Sequence, residues 1–440
     1  PNLSRCLQQG LFGELESIIP PITVPAWSCM MTSKDPGELG VYGFRNRKDH
    51  SYNNLVFATS SYVREQTVWD YLSRAGRRVV VLGVPQTFPP KKVNGCMISC
   101  FLTPSKQSSF TFPAELKEEV LRVADGDYIF DVDNFRTDDK DLILQKVYQM
   151  TERRFRVARH LLTTRPWDFF MMVEMGTDRI HHGFWKYFDQ EHIKHEPGSK
   201  YLSAIPEYYR FLDAEIGRLL RLADDQTDVL IVSDHGAKRM DGGICINEWL
   251  HREGYLVFQA SPTRPTPISR MAIDWSRTRV WGEGGYYSRI FLNVKGREPQ
   301  GIVPPKEYEA LRDELIQKLE ALPDHTGKHI GTRIYKPQQL YRACRGVPPD
   351  LVAIFGDLYW RGVGTVGTGS FYTFDNDTGP DDANHAQNGI LIFYRPGQDL
   401  GGQRLKRMGL MDIAPTVLAR MGHSVPPDMQ GKIISEIVQA

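Results

Sequence analysis

Short apolar runs that alternate with amphipathic stretches are the feature that most limits how this chain can fold. Each run is short enough for a strand buried on both faces, whereas the intervening stretches place apolar residues near helical spacing. The strand-like runs are 78–83, 169–173, 229–232, 351–355 and 390–393. The helical patterns cover 62–75, 139–163, 203–223, 306–321 and 411–421. This alternation predicts an α/β fold with a central, largely parallel sheet flanked by helices.

The stretch 237–378 differs from the rest of the chain because it contains many glycine- and proline-rich pieces and one clear helical pattern, after Pro305. It also separates the third apolar run from the last one. We predict that 237–378 is an inserted cap or substrate region, and that 1–236 and 379–440 form the α/β core. A chain of 440 residues is long enough for a large core with such an insertion.

The charge balance argues against a polyanionic partner. Lys and Arg total 54 and Asp and Glu total 53, so nothing favours a nucleic acid polymer or an anionic membrane. The six cysteines are scattered, and no apolar run of membrane-spanning length is present. We therefore expect reduced thiols, a cytoplasmic location and a small substrate whose charge is held locally. No sequence feature indicates the oligomeric state.

Two of the apolar runs end in an acid and an imidazole. Asp234 and His235 follow the run 229–232, and Asp178 and His182 follow the run 169–173. Ligands of open α/β sheets bind just beyond the carboxyl ends of the strands, so both pairs are predicted to share one site. Carboxylates and imidazoles are ligands of catalytic zinc, and a two-metal site would need about six ligands, three for each ion. His385 and the hydroxyl of Thr23 are the further candidates.

Each of these residues also has a purely structural interpretation. Asp234 could cap a following helix, since Asp is a preferred N-cap residue. Asp178 and His182 could lie on one exposed face of a helix, and His181 could be the ligand instead of His182. His385 alone could be solvated. The prediction of a metal site therefore depends on the order of all these residues along the chain.

In that order the residues resemble a known family, the type I phosphodiesterase/nucleotide pyrophosphatase branch of the alkaline phosphatase superfamily. The resemblance covers nearly the whole chain. Four ordered elements and a typical C-terminal tail carry it. They are the nucleophile turn 20–27, the DxxxH element 178–182, the DHG element 234–236, the HxxxG element 385–389 and the tail segments 412–418 and 425–432.

The resemblance implies an alkaline-phosphatase-like fold and the metal-dependent hydrolysis of a phosphodiester or phosphomonoester, with nucleotide-like molecules among the candidates. It implies two divalent metal ions, zinc or alternatively manganese. One ion would be held by Asp178, His182 and His385, and the other by Asp234, His235, Thr23 and a further Asp. Thr23 would attack phosphorus and form a phosphothreonine intermediate.

Two departures from the family pattern concern the predicted metal and substrate sites, whereas Leu39 in place of a usual His and Ser33 in place of a usual Gly affect packing. The further Asp is implied on a first strand that precedes the segment 1–7, so we expect that strand upstream of Pro1. The family's nucleotide-cleaving members also place an Asn where this chain has Phe44, and Asn46, Arg45 or Arg47 could bind the substrate instead. A positive side chain would suit a monoester and a neutral one a diester. The sequence leaves this choice open.

Other functions stay open at this point. One is phosphonate hydrolysis or phosphoryl transfer by a member of the same superfamily. Another is a catalytically silent binding homologue that lacks one metal, a hypothesis motivated by the absent Asp. A sulfatase is disfavoured because no Cys or Ser lies in a CxPSR context.

Overall fold

A computed structural model describes residues 1–440 as a mixed α/β protein. The helices are α1 (Asn2–Gln9), α2 (Thr23–Thr32), α3 (Pro36–Leu39), α4 (Val68–Arg74), α5 (Leu116–Val123), α6 (Lys140–Thr164), α7 (Gly176–Phe188), α8 (Ala204–Leu220), α9 (Ile246–Arg252), α10 (Tyr308–Glu320), α11 (Pro337–Leu340), α12 (Ile413–Arg420) and α13 (Ser435–Gln439). None of them combines the length and apolar character needed to cross a bilayer.

The strands of the first half are β1 (Leu11–Glu16), β2 (Arg45–Arg47), β3 (Leu55–Phe57), β4 (Val79–Leu82), β5 (Gly95–Ile98), β6 (Thr111–Phe112), β7 (Phe169–Met172), β8 (Val229–Val232), β9 (Gly236–Arg239) and β10 (Gly242–Cys245). Those of the second half are β11 (Thr266–Pro267), β12 (Val280–Glu283), β13 (Ser288–Leu292), β14 (Arg333–Tyr335), β15 (Leu351–Ile354), β16 (Trp360–Val363), β17 (Thr365–Val366), β18 (Tyr372–Thr373), β19 (Ala383–Ala386), β20 (Asn388–Tyr394), β21 (Gln403–Arg404) and β22 (Met408–Gly409).

The predicted elements are present, and one of them is shorter than expected. Four of the five helical patterns correspond to α6, α8, α10 and α12. The pattern 62–75 yields a helix only from Val68, because Thr67 and Asp70 form a capping box that starts the helix there. The Thr67 amide donates to Asp70 Oδ2 at 2.9 Å.

Two sheets form the core and position the candidate site. One has the order β6-β5-β4-β7, with β4 parallel to both β5 and β7. The other has the order β21-β1-β20-β8, with β20 antiparallel to both β1 and β8, and β22 also pairs with β1. The fold class is confirmed, but the strand directions are more mixed than the predicted parallel sheet.

The strands β7 and β8 each lie at the edge of a sheet, and these are the strands that lead into the predicted ligands. All residues of both strands are half-buried although every one is apolar. An edge strand presents unpaired backbone groups that can accept another strand. The predicted first strand with its further Asp ligand stays a prediction.

The stretch 237–378 has its own sheet and its own apolar core. Its four-stranded sheet has the order β12-β13-β15-β14, and every neighbouring pair is antiparallel. The run 351–355, predicted as a strand of the main sheet, forms β15 here instead. All 24 residues of one apolar cluster lie within 244–366, whereas the main cluster of 46 residues contains none from 237–378. This distribution favours the predicted division into core and insertion, which stays a prediction.

Candidate active site

Thr23 lies at the first turn of α2, where the chain enters the main core. Its side chain is buried, and its Oγ1 is 3.2 Å from His235 Nε2. The helix has Pro25 in its first turn, a position where the missing amide hydrogen costs nothing. No side chain caps the helix, and the amides of Thr23 and Val24 have no hydrogen-bond partner within the protein. Free amides at a helix N-terminus form a site for an anion.

Asp234 and His235 follow β8 directly. The ring of His235 has Nδ1 placed 2.9 Å from the Gly236 carbonyl oxygen, and its Nε2 lies 3.2 Å from Asp234 Oδ2. Asp234 Oδ2 is buried and accepts no hydrogen bond. Burial raises the pKa of Asp234 to about 6, although the neighbouring His235 opposes the shift. A buried carboxylate oxygen without a donor is a suitable ligand for a cation.

Asp178 and His182 lie one turn apart on α7. Asp178 Oδ1 is 3.3 Å from His182 Nε2, and His182 is almost fully buried. Burial opposes ionisation of Asp178, but the positive charges of His182 and Arg179 outweigh it and hold the pKa of that carboxyl well below its usual range. Arg179 donates to Asp178 Oδ2 and also to both carboxylate oxygens of Asp131, at 2.7 and 2.6 Å.

His385 reaches the same place from β19, which pairs with β9 just beyond Asp234 and His235. Its Nδ1 is 2.7 Å from the Pro21 carbonyl oxygen, its Nε2 is 3.8 Å from Asp178 Oδ1, and its ring stacks on that of His235 with centroids 3.7 Å apart. Burial and then the neighbouring His235 lower the pKa of His385 well below its ordinary value. The imidazole is therefore neutral, as a metal ligand must be.

The three imidazoles share one arrangement. In His182, His235 and His385 the Nδ1 atom lies within hydrogen-bond distance of a carbonyl or carboxylate oxygen. A carbonyl oxygen can only accept, so Nδ1 carries a proton in each ring and Nε2 is the atom left for a metal. Burial opposes protonation of His182, but the charges of Asp381 and Asp178 outweigh it and raise its pKa to about 9, so a metal would displace the Nε2 proton of this ring. Ligand atoms of Asp178, His235 and His385 all lie within 4.8 Å of one another.

His181, the alternative ligand, contacts a tyrosine instead of the predicted ligands. Its Nε2 is 3.1 Å from the Tyr209 hydroxyl. Burial lowers the pKa of His181 to about 4. His182 is thus the imidazole of this pair that contacts Asp178.

None of the three residues predicted to bind substrate forms a hydrogen bond or an ion pair with Thr23 or with the predicted metal ligands. Asn46 is buried, accepts from the Tyr42 amide at 2.7 Å and donates to the Gly43 carbonyl at 3.0 Å. Arg47 is also buried and pairs with Glu298 at 3.4 Å. Both side chains are therefore engaged within the protein.

Arg45 differs from its neighbours because it is exposed and has no acidic partner. Its guanidinium lies over the Phe57 ring, 5.4 Å from the centroid. Its role in substrate binding, like those of Asn46 and Arg47, stays a prediction.

Sequence reasoning missed the residues that surround His182. Asp381 Oδ1 is 2.7 Å from His182 Nδ1, and the ring of Tyr286 stacks on His182 with centroids 5.0 Å apart. Arg136 contacts the same carboxylate, with its Nε 2.9 Å from Oδ2. The only sequence signal was the acidic pair Asp381 and Asp382, which stands four and three residues before His385.

The fold and this arrangement of acids and imidazoles define a hydrolase of the alkaline phosphatase superfamily. The family model for type I phosphodiesterases/nucleotide pyrophosphatases matches residues 1–381, and the chain belongs to this family. Its members are phosphoester hydrolases, so this protein is an enzyme of that class. No curated protein matches the sequence significantly.

Solved structures show the same fold at low sequence identity. Human ectonucleotide pyrophosphatase/phosphodiesterase 5 aligns with a TM-score of 0.56 and 12% identity, over 100% of this chain and 93% of the human one. The mouse protein aligns with a TM-score of 0.54 and 13% identity, over 97% of this chain and 91% of its own. An inactive variant of the mouse protein, solved in complex with AMP, has a TM-score of 0.55, 12% identity and the same coverage.

Proposed function

We propose that this protein hydrolyses phosphate esters in a metal-dependent reaction in which the Thr23 hydroxyl attacks phosphorus. The observation that carries the proposal is the position of Thr23. Its hydroxyl lies at an uncapped helix N-terminus and contacts only His235, at 3.2 Å. A hydroxyl placed between free amides and a set of metal-ligand side chains suits attack on a phosphoryl group.

The donor set suits two divalent ions. Asp178, His182 and His385 would hold one, and Asp234, His235 and Thr23 would hold the other. This division follows the family resemblance. The Nδ1 hydrogen bonds that leave Nε2 for a metal, and the Asp234 Oδ2 atom that accepts no hydrogen bond, support the donor set. Mixed imidazole and carboxylate ligands favour zinc, with manganese as the alternative. When bound, the two ions would polarise a phosphoryl oxygen and lower the pKa of the attacking hydroxyl and of a water molecule.

The residues of the chain then have defined tasks. The amides of Thr23 and Val24 hold phosphoryl oxygens at the N-terminus of α2. Thr23 Oγ1 forms a bond to phosphorus while the bond to the leaving-group oxygen breaks on the opposite side. Water then attacks the phosphothreonine, the bond between phosphorus and Oγ1 breaks, and free Thr23 is restored.

The substrate that we propose is a small phosphate diester or monoester with a nucleotide-like part. The AMP complex of the mouse relative supports a nucleotide-like molecule. Among the residues predicted to bind substrate, only Arg45 offers an exposed guanidinium without an acidic partner. A contribution of Arg45 would favour the doubly charged monoester, since an additional negative charge needs compensation.

The test is a comparison of Thr23→Ala with wild type on p-nitrophenyl phosphate and bis(p-nitrophenyl) phosphate, with zinc or manganese supplied. Removal of a covalent nucleophile lowers kcat by about 10⁴–10⁶-fold. Thr32→Ala is the matched control, because Thr32 lies at the other end of α2 and donates to the Ser28 carbonyl at 2.7 Å. Acid-quenched wild type should carry phosphate on Thr23 by mass spectrometry. Retained turnover in Thr23→Ala would refute the proposal.

A further inference from the structure

We infer that Asp381 is a positioning residue for His182, and that the region 237–378 helps to hold Asp381 in place. The inference rests on the proposed function, because it assumes that His182 is a metal ligand. Asp381 has no hydrogen bond to Thr23 or to the other predicted ligands; it acts through the imidazole of His182.

The contact between the two side chains is short and buried. His182 Nδ1 lies 2.7 Å from Asp381 Oδ1, and the Asp381 side chain has no exposed surface. The Ala383 carbonyl oxygen lies 3.1 Å from the same nitrogen. Both oxygens can only accept, so Nδ1 carries a proton, and Nε2, which lies 3.3 Å from Asp178 Oδ1, is the atom left for a metal. The carbonyl alone would maintain this tautomer; the carboxylate adds a negative charge that makes Nε2 a stronger ligand.

The other oxygen of Asp381 is held from two sides. Arg136, in the segment before α6, has its Nε 2.9 Å from Asp381 Oδ2. The hydroxyl of Tyr286, in the turn between β12 and β13, donates to the same oxygen at 3.2 Å. A fully buried carboxylate is costly unless it is paired and hydrogen-bonded, and these partners satisfy it.

Tyr286 belongs to the inserted region 237–378 and connects that region to the candidate site. Its ring stacks on His182 at a centroid distance of 5.0 Å and lies 4.3 Å from the ring of His385. The same side chain therefore packs on two predicted ligands and bonds to the carboxylate behind one of them. A shift of the inserted region would disturb Asp381 and His182 together.

Asp382 provides a matched comparison. It is adjacent in sequence and equally buried, but its carboxylate accepts no hydrogen bond from any group. Its backbone carries the structural contacts, since its carbonyl oxygen lies 3.0 Å from His192 Nε2. Replacing the Asp382 side chain thus changes a buried acidic group without touching His182 Nδ1.

The experiment measures metal binding by the full chain. Zinc affinity is determined by chelator competition for wild type, Asp381→Asn, Asp382→Asn and Tyr286→Phe, and the absorption spectrum of each cobalt-loaded protein is recorded. Loss of an outer partner of a metal-bound imidazole costs about 10–100-fold in metal affinity. We expect such a loss for one of two zinc ions in Asp381→Asn, with a changed cobalt spectrum, a smaller loss in Tyr286→Phe and none in Asp382→Asn.

The outcomes separate the inference from the proposed function. Wild-type zinc affinity and an unchanged cobalt spectrum in Asp381→Asn would overturn the positioning role. If Asp381→Asn does not fold, Tyr286→Phe decides, because it keeps the stacked ring and removes the hydroxyl that contacts Asp381 Oδ2, Arg136 and His182 Nδ1. Zinc affinity equal to wild type then overturns the role. A wild-type protein that binds no zinc, manganese or cobalt would refute the proposed function, and the inference with it.

Discussion

The Thr23 hydroxyl and His235 Nε2 lie 3.2 Å apart although 212 positions separate them in the chain. This contact joins the start of α2 to the end of β8. The ring of His385 stacks on that of His235, with the two centroids 3.7 Å apart. The hydroxyl that we propose as the nucleophile is thus in direct contact with one of the proposed metal ligands.

Substitution of a proposed ligand should remove metal and activity together. His385→Ala removes an Nε2 that lies 3.8 Å from Asp178 Oδ1. Loss of a residue that only hydrogen-bonds a metal ligand lowers metal affinity or activity by about 10–100-fold. Loss of the ligand itself should lower both zinc affinity and kcat further. Elemental analysis and turnover of p-nitrophenyl phosphate measure the two effects. His329→Ala, at an exposed imidazole, is the control; equal behaviour of the two variants would contradict the ligand assignment.

The neighbouring imidazoles His181 and His182 should respond differently to the same substitution. His182→Asn should lose zinc and turnover, because His182 Nε2 faces Asp178 at 3.3 Å. His181→Asn should keep its zinc content and change kcat by less than about 10-fold, since it loses only a hydrogen bond with Tyr209, worth about 1 kcal/mol. The reverse order of effects, measured by zinc content and kcat, would identify His181 as the ligand.

Arg47 should prove structural. It pairs with the fully buried Glu298 at 3.4 Å and lies over the rings of Trp281 and Phe291. Arg47→Met should lower the free energy of unfolding by about 2–3 kcal/mol, less than the 3–5 typical of a broken buried pair, because Arg297 remains beside Glu298.

Urea unfolding measures this effect of Arg47→Met, and kinetics on the folded fraction test substrate binding. KM should stay within about twofold of wild type, because a side chain that does not bind substrate contributes nothing to substrate affinity. Arg45→Met is the contrasting variant: it removes the exposed guanidinium proposed to contribute to substrate binding, so its KM for the monoester should rise. A large rise of KM in Arg47→Met without loss of stability would contradict the structural role and show that Arg47 binds substrate.

The stability that Asp213 confers should depend on pH. Its carboxylate accepts from the Asn2 and Leu3 amides at 3.1 and 2.7 Å and so caps α1 from α8. Burial opposes ionisation, but these hydrogen bonds outweigh it and lower the pKa of Asp213. A lowered pKa means that the stabilisation is present above the unfolded-state value of about 3.9 and is lost as the pH falls below it.

Asp213→Asn tests this sign. It should cost about 1–2 kcal/mol at pH 7, the range for loss of a helix cap, and less at pH 3.5. Urea unfolding at both pH values gives the difference, with Asp225→Asn as an exposed control whose carboxylate has only a 3.4 Å contact with Gln226. A cost that grows at pH 3.5 would show that the charge of Asp213 does not stabilise the fold.

Local patterns were sufficient for the elements that lead into the site. The runs before Asp178 and Asp234 are strands, and Asp178 and His182 share one face of a helix. Both features were predictable because they depend on the spacing of side chains over a few neighbouring residues. His385 was predicted from its place in an ordered set and lies beside His235. The run 351–355 was also predicted as a strand, but its sheet was not, because a strand's partner is chosen by distant residues.

The sequence by itself determined the α/β class and the order in which acids and imidazoles follow buried strands, since both arise from local periodicity. Only the tertiary structure decided that Asp381 and Tyr286 stand behind His182, and that Arg47 is buried against Glu298. Those relationships join residues more than 90 positions apart, and whether a charged side chain meets water, a carboxylate or an imidazole depends on which surfaces the folded chain brings together.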